Sequence, residues 1–188
     1  MSQKIVLIGD PAVGKTTLRK NFMGEHQTSD YIMTLGADFA KKDVQITASD
    51  TKGVVEVMIW DLAGQNEFSM VRQPFYQSAS GGILVFDSLR KESFEHARRW
   101  IQDLWRNNGS GPCPVVFLAN KEDLRETQTD APSLEVIGEL VNQIKGWALE
   151  QAQFNYPFYV TSALKGHNVD VAFDSLLVEI FDLLLTQH

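Results

Sequence analysis

A glycine-rich segment near the start of the chain, residues 9–16, constrains the fold more than any other part of the sequence. It reads Gly-Asp-Pro-Ala-Val-Gly-Lys-Thr. It follows the apolar run of residues 4–8 and precedes residues 17–23, which have the pattern of a helix. A glycine-rich turn between a strand and a helix is typical of a phosphate-binding loop, the P-loop. The sequence therefore predicts a site for a nucleoside triphosphate.

The chemistry of phosphate binding explains the residue types in this loop. Backbone N–H groups and the positive end of the following helix can bind phosphate oxygens, Lys15 adds a charge, and the Thr16 hydroxyl can bind Mg²⁺. Gly9 and Gly14 allow close backbone approach. The alternative is a glycine turn beside a surface lysine, but the flanking strand and helix favour phosphate binding. The predicted nucleotide-binding residues of the loop are Asp10, Pro11, Ala12, Val13, Gly14, Lys15, Thr16 and Thr17.

Composition narrows the class of protein. A length of 188 residues with 44% hydrophobic content predicts a single globular domain over residues 1–188. The net charge of −7 argues against nucleic-acid partners. Cys113 is the only cysteine, so no disulfide framework is expected, and the four histidines lack metal-ligand spacing. Because the sequence contains no signal peptide or membrane-spanning run, we expect a cytoplasmic location.

Apolar runs alternate with helical patterns along the rest of the chain. Further strands are predicted around Val44 and Ile46, at residues 54–60 after a turn at residues 50–53, and at residues 82–86, 115–119 and 157–161. Helices are predicted behind Ser93 and Ser133 as N-caps, the second reaching about residue 154, and over residues 173–184. We therefore predict an α/β fold: a three-layer P-loop NTPase domain with a six-stranded, mostly parallel sheet, one antiparallel strand and about five flanking helices.

Four polar segments each follow a predicted strand, at residues 9–16, 61–65, 120–123 and 161–165. Ligands of such sheets bind at the carboxyl ends of the strands, so these segments are expected along one edge. In the second segment, Asp61 can hold the water shell of Mg²⁺, Gly64 can offer its N–H to a terminal phosphate, and Gln65 can orient an attacking water. A plain strand-ending turn is the alternative for this segment alone.

The third and fourth segments predict recognition of guanine. The carboxylate of Asp123 can accept two N–H donors of guanine that adenine lacks, and Lys121 can lie along the base. A polar turn opening the next helix is the alternative. In the fourth segment, backbone amides can donate to the guanine carbonyl while Leu164 covers the ring. The predicted base-binding residues are Asn120, Lys121, Asp123, Ser162, Ala163 and Leu164.

Taken together, the segments GDPAVGKT, DLAGQ, NKED and TSALK, with a single threonine in YIMTLG, resemble the small GTPases of the Ras superfamily over nearly the whole chain. The resemblance implies Gln65, Lys15 and Thr34 as catalytic residues. It implies that Thr34 contacts Mg²⁺ and the γ-phosphate only in the GTP state, as part of switch I, and that residues 65–80 form switch II. Tyr31 stands where the family has a tyrosine that closes over the phosphates.

Within the superfamily the sequence is most similar to the Rab branch. Phe39, Trp60 and Phe75 stand where Rab proteins carry an aromatic triad that binds effectors. The alternative is that some of these rings only cover the sheet beneath the switches. The Rab tail with one or two cysteines is missing, so no prenyl anchor is expected, and any membrane association would be peripheral and indirect. Similar tail-less GTPases occur in archaea, which makes an archaeal origin one hypothesis.

Other departures from the family concern single positions. Pro11 replaces a common glycine in the loop that faces the hydrolytic water, so altered rather than abolished hydrolysis is expected. Gln27 stands where relatives often have an aromatic residue that stacks on guanine. The hypothesis is that the nucleotide is retained more weakly, or that His26 or Phe22 compensates. Residues 125–154 are longer than in Ras itself, which is consistent with either a partner surface or a neutral extension.

The resemblance implies a monomeric switch that binds GTP or GDP with Mg²⁺ and hydrolyses GTP slowly. It would signal through its switches to effectors, activating proteins and exchange proteins, in membrane trafficking if it acts as Rab proteins do. A non-hydrolysing guanine-nucleotide-binding scaffold is the alternative. A P-loop kinase for small molecules is a further alternative. Such a kinase would need arginine-bearing lids over its substrates, whereas residues 120–123 and 161–165 are predicted to bind guanine.

Overall fold

A computed structural model describes residues 2–25, 36–48, 51–64 and 69–186. Six strands are present in these residues: β1 Ser2–Ile8, β2 Ala37–Ala48, β3 Thr51–Leu62, β4 Gly81–Asp87, β5 Val115–Asn120 and β6 Phe158–Val160. The helices are α1 Lys15–Met23, α2 Ser69–Tyr76, α3 Glu92–Glu95, α4 Ala97–Asn107, α5 Leu134–Gln151 and α6 Val169–Thr186, with a 3₁₀ helix at Glu122–Thr127.

The strands form one sheet in the order β2-β3-β1-β4-β5-β6, and only β2 runs antiparallel to its neighbour. This confirms the predicted six-stranded, mostly parallel sheet. Every residue of β4 and β5 is buried, as continuous apolar runs in the centre of a parallel sheet require. The sheet therefore presents one shared carboxyl edge, where the loops after β1, β3, β5 and β6 lie side by side.

Helices cover both faces of the sheet and give the predicted three layers. One apolar cluster packs α2, α3, α4 and α5 against one face, and another packs α1 and α6 against the opposite face. Trp105 of α4 stacks with Trp147 of α5 in the first cluster, and Phe22 of α1 stacks on Phe173 of α6 in the second. Since Phe22 is buried in this stack, it is not available to cover a guanine base, contrary to one of the compensations suggested for Gln27.

The helix predicted behind Ser93 differs from the structure. Ser93 lies inside the four-residue helix α3, and a second helix, α4, begins after His96, so there are six α-helices in the described residues rather than about five. The Ser93 hydroxyl donates to the carbonyl of Arg90 at 2.7 Å and accepts from the N–H of Asp87 at 3.0 Å. It therefore fixes the end of β4 instead of capping a long helix. Ser133 does cap α5, accepting from the N–H of Val136, but α5 ends at Gln151 rather than near residue 154.

The hairpin between β2 and β3 is tighter than predicted. Thr51, Lys52 and Gly53 pair with residues of β2, so three residues of the expected turn belong to a strand. The register is continuous over twelve residue pairs, and this regular pairing outweighs the local turn preference of Lys-Gly. Only residues 49–50 connect the strands, and these residues lie outside the described part of the chain.

Cys113 is buried just before β5, as a strand-end residue should be. Burial raises the pKa of its thiol to about 12, so it is unreactive in the folded protein. Among the described residues, no group of three or more His, Cys, Asp or Glu side chains could hold a metal ion. A search of the same residues finds no helix that is long and apolar enough to cross a membrane.

Candidate nucleotide-binding site

The P-loop connects β1 to α1 and begins the helix earlier than predicted. Helix α1 starts at Lys15, not at residue 17, with Gly14 as its N-cap at a φ of 103°. Gly14 cannot be replaced without strain, because a Cβ there would lie 2.3 Å from Nδ2 of Asn120. Gly9, at a φ of 137°, is similarly restricted, since its Cβ would lie 2.2 Å from the carbonyl oxygen of Val85. The two predicted glycine roles therefore rest on conformation and on close approach.

Lys15 is buried within this loop. Its Nζ donates to the carbonyl oxygens of Gly9 and Asp10, both at 2.8 Å. Burial lowers the pKa of Lys15 to about 8, against the opposing effects of the carboxylates of Asp61 and Asp10. The charge of Arg72 contributes to the same lowering. A buried ammonium group is a strong binding partner for phosphate oxygens, because little water competes for it.

Thr16 and Asp61 form the oxygen pair that the sequence predicts for Mg²⁺. The Thr16 hydroxyl donates a short hydrogen bond to Oδ2 of Asp61, at the end of β3. Asp61 is fully buried, and burial raises the pKa of its carboxyl although the Thr16 hydrogen bond and Lys15 act in the opposite direction. Hydroxyl and carboxylate oxygens are ligands that suit Mg²⁺, which keeps several waters and needs few protein ligands. The residues present therefore fit this ion.

Gly64 lies directly against the P-loop. A Cβ at this position would be 2.5 Å from the backbone nitrogen of Pro11 and 2.6 Å from the backbone carbon of Asp10. At Gly64 the chain after β3 therefore approaches the phosphate-binding loop through backbone atoms, in addition to the hydrogen bond between Thr16 and Asp61. Four residues with predicted roles, Tyr31, Thr34, Gln65 and the departure Gln27, lie outside the described residues, as does His26.

Asn120 joins the P-loop to the predicted base-binding loop. Its Nδ2 donates to the carbonyl of Val13 at 2.8 Å, and its Oδ1 accepts from the N–H of Ala163 at 2.8 Å. The hydroxyl of Thr161 also donates to this Oδ1, at 3.2 Å. Because Asn120 is almost fully buried, these bonds hold two separate segments of the chain in one arrangement. The amide of Ala163 serves Asn120 here, in addition to the guanine contact that the sequence predicted for it.

The other base-binding residues lie around the same point. Oδ1 of Asp123 accepts a 2.5 Å hydrogen bond from the Ser162 hydroxyl, which fixes the direction of the carboxylate. Lys121 adopts a left-handed φ of 72°, and its Nζ donates to Oδ2 of Asp87 at 2.8 Å. Leu164 is 58% exposed, which is unusual for leucine and fits a side chain that covers a ligand. The structure thus brings together the predicted base-binding residues.

Sequence reasoning missed Asp87 and Arg90. Asp87 is buried at the end of β4, and its Oδ2 accepts from Lys121 and, at 2.9 Å, from Nε of Arg90. Arg90 in turn donates to the carbonyl of Pro11 at 3.2 Å. Asp87 therefore holds one cation at the base-binding loop and another at the P-loop. The sequence did contain a signal for Asp87, because it is a polar residue at the end of an apolar run and therefore lies on the ligand edge of the sheet.

Sequence reasoning also missed Trp100, a residue of α4. Its Nε1 donates to Oδ1 of Asp10 at 2.8 Å, and Nδ1 of His96 lies 2.8 Å from the other carboxylate oxygen. The Arg72 guanidinium lies 4.5 Å from the Trp100 ring and donates to the carbonyl of Ala63 at 3.0 Å. Trp100 thus connects the P-loop to the segment that follows β3. Periodicity alone cannot distinguish this contact from ordinary packing.

The three predicted effector-binding aromatics form one continuous group. Phe39 is 54% exposed and stacks on Trp60 at 5.2 Å between ring centroids, and Trp60 lies 5.2 Å from Phe75. Trp60 and Phe75 also pack against the apolar cluster under α2 and α4. The inner rings therefore cover the sheet, as the alternative interpretation expects, while Phe39 faces solvent, and binding of effectors stays a prediction.

We expect Trp100→Phe to weaken nucleotide binding about tenfold. The phenyl ring can still pack under Arg72, but the hydrogen bond to Asp10 is lost, and a bond to a charged group contributes about 1.5–3 kcal/mol. Trp105→Phe is the matched control, because it removes an indole bond from the same helix, to the carbonyl of Cys113. Equilibrium titration with a fluorescent GDP analogue checks the effect. Equal affinities for the two variants would contradict a role of Trp100 in the site.

A mostly parallel sheet whose first strand leads through a glycine loop into a helix defines the P-loop NTPase class of protein. A sequence model of the Ras family matches residues 4–182. The chain is 34% identical over 181 residues to the Ras-related protein RABG3d of Arabidopsis thaliana, covering 95% of this chain and 82% of that protein. It is 34% identical over 180 residues to the Ras-related protein Rab11A of Lotus japonicus, covering 96% and 72%. The chain therefore belongs to the Ras family of small GTPases and is similar to Rab proteins.

Proposed function

We propose that this chain is a molecular switch that binds GTP and GDP with Mg²⁺ and hydrolyses GTP slowly. The observation that carries the proposal is the connection made by Asn120 between Val13 of the P-loop and Ala163 of the base-binding loop. Because of this connection, the ammonium group of Lys15 and the carboxylate of Asp123 belong to one binding site. One end of that site suits phosphates and the other suits guanine.

The residues of the phosphate end would act mainly by position and charge. Lys15 and the amides of the P-loop would bind phosphate oxygens, and Gly64 would donate its N–H to the γ-phosphate. Thr16 would hold Mg²⁺ directly, with Thr34 in the GTP state, and Asp61 would hold it through water. The ion, when bound, supplies positive charge to the β- and γ-phosphate oxygens. Gln65 would orient the attacking water.

Loss of the γ-phosphate would remove the contacts of Thr34 and Gly64, and this would release the two switches. No arginine or lysine occurs at residues 26–36, so switch I has no cation of its own to offer the leaving phosphate. Arg72 is buried against Trp100, which does not support it as an internal arginine finger. Faster hydrolysis would therefore require an activating protein.

Partners would bind at the switches, with Phe39 as the most exposed aromatic of the triad. The similarity to Rab proteins supports a role in membrane trafficking, through effectors, activating proteins and exchange proteins. Association with membranes would be peripheral.

A single-turnover assay of GTP hydrolysis tests this function. We expect phosphate release at about 10⁻⁴ to 10⁻³ s⁻¹ without a partner, and a rate at least about tenfold lower for Gln65→Leu. Gln73→Leu is the control. Gln73 is exposed on α2, and the substitution removes the same side-chain amide at a position with no proposed contact to the attacking water. Tight GTP binding with no phosphate release from the unmodified protein would instead support a non-hydrolysing scaffold. Pro11 is the residue that motivates this alternative, because it stands in the loop that faces the hydrolytic water.

A further inference from the structure

The last helix, α6, carries apolar side chains on its outer side as well as its inner side. Val171 is 50% exposed and Leu185 is 42% exposed, and Val178 lies half-buried midway between them. These three residues are spaced by seven, so they form one stripe along the helix. A surface helix normally presents polar residues to solvent, whereas apolar side chains exposed along one line of a helix offer contact area to a partner.

A groove runs beside this stripe. A cavity of about 520 Å³ is lined by Tyr159 of β6 and by Val171 and Val178 of α6. A neighbouring cavity of about 470 Å³ is lined by Phe154 and Leu183. Both cavities share Asn155, Glu179 and Asp182, so they form one continuous surface, the α6 groove. Asn155 precedes β6, which places the middle of the groove at the end of the sheet opposite the nucleotide site.

The charge of the α6 groove has one sign. Asp174, Glu179 and Asp182 line it, and no lysine or arginine is among the described residues that line either cavity. Residues 146–188 contain five acidic residues and a single lysine, Lys165, although the whole chain has 17 basic residues. The groove therefore combines apolar contact surface with negative charge along its margin.

Burial and neighbouring carboxylates affect two of these acids. Burial, and next the charge of Asp170, raise the pKa of Asp174, against the opposing charge of Lys42. Burial raises the pKa of Glu179, with a further contribution from Asp182, although Glu179 accepts a 2.8 Å hydrogen bond from the N–H of Asn155. A positive charge brought to this surface would be favourable for both groups.

We propose that the α6 groove is a docking site for a basic amphipathic helix of a partner protein. The stripe from Val171 to Leu185 covers 15 residues, or about 21 Å of helix, which suits a partner helix of about four turns or more. A second copy that docked through the same groove fits less well, because the carboxylates of the two grooves would face each other. An added strand fits less well, because β6 has only three residues and Asn168 already binds the carbonyl of Val160.

This surface is separate from the switches, so the proposal does not depend on the nucleotide function. Binding at the α6 groove would occur in both nucleotide states. A partner bound there would determine where the protein is placed, whether GTP or GDP is bound. Failure of GTP hydrolysis would leave this proposal untouched, and failure of docking would leave the switch untouched.

A synthetic three-heptad helix with leucine at its core positions and lysine beside them serves as the probe. Fluorescence anisotropy measures its binding to the full chain, and we expect Asp174→Lys/Asp182→Lys to weaken binding at least about tenfold. The same variant should gain affinity for a probe with glutamate in place of lysine. Glu126→Lys/Asp130→Lys is the matched control, because it changes the net charge equally at exposed residues far along the chain from the groove.

Val178→Ser should also weaken binding of the lysine probe, since it removes apolar contact without changing charge. Circular dichroism and retained nucleotide binding show that each variant is folded. Equal weakening by the two charge-reversed variants would overturn the proposal, because binding would then reflect net charge alone. Concentration-dependent dimerisation of the unmodified protein that Val178→Ser abolishes would also overturn it, in favour of a second copy.

Discussion

Asp123→Asn is expected to lower the affinity for GTP by about two to four orders of magnitude. The carboxylate would accept two hydrogen bonds from guanine, and each bond to a charged group contributes about 1.5–3 kcal/mol. Asparagine places an N–H group where guanine also presents donors, so at least one bond becomes a repulsive contact. Because Ser162 donates to Oδ1 of Asp123 at 2.5 Å, the side chain is held in place and cannot easily rotate away.

Isothermal titration with GTP and with xanthosine triphosphate measures this effect. Xanthine has a carbonyl where guanine has its amino group, so the asparagine variant should bind xanthosine triphosphate better than the unmodified protein does. Glu122→Gln is the control, since Glu122 is adjacent in the same loop and pairs with His167 rather than facing the base-binding residues. If both variants lost the same affinity for GTP, the assignment of Asp123 to guanine would be wrong.

Gly14→Ala is expected to reduce nucleotide affinity at least about a hundredfold. The new Cβ would lie 2.3 Å from Nδ2 of Asn120, so either the P-loop or Asn120 must move. Movement of Asn120 would break its bonds to both Val13 and Ala163. A loss of two such buried hydrogen bonds, together with strain at a φ of 103°, corresponds to about 3 kcal/mol or more.

Gly24→Ala separates strain from displacement. Gly24 also has a positive φ, 72°, but nothing lies within 4 Å of a Cβ built there. We expect it to lower the free energy of unfolding by about 1 kcal/mol while leaving nucleotide affinity unchanged. Thermal unfolding and titration with a fluorescent GDP analogue measure the two quantities for both variants. Undiminished nucleotide binding by Gly14→Ala would contradict the role of Asn120 as a connection.

The sheet and its ligand edge were predictable because their signals are local. Residues 82–86 and 115–119 are continuous apolar runs of strand length between helical patterns, which favours central strands of a parallel sheet. Once the strands are placed, the polar segments that follow them must meet at one edge. The convergence of residues 120–123 and 161–165 on one edge was therefore predictable, whereas the hydrogen bond between Ser162 and Asp123 was not.

The rest depended on contacts between residues far apart in sequence. Trp100 has the spacing of a core residue, and only the folded position of Asp10 gives its indole N–H a partner. Ser93 has the residue type of an N-cap, but the end of β4 offers its hydroxyl closer partners. Lys52 and Gly53 favour a turn locally, yet the long register between β2 and β3 continues through them. In each case a tertiary contact was stronger than the local preference.

Gly64 lies so close to the backbone of Asp10 and Pro11 that no side chain fits between the P-loop and the chain that follows β3. A displacement of either one by a fraction of an ångström must be transmitted to the other, and no rotatable side chain lies between them to absorb it. This direct transmission of movement depends on the absence of a Cβ atom at Gly64. Any side chain at residue 64 would therefore push the P-loop away from the end of β3, since its Cβ alone would lie 2.5 Å from the backbone nitrogen of Pro11.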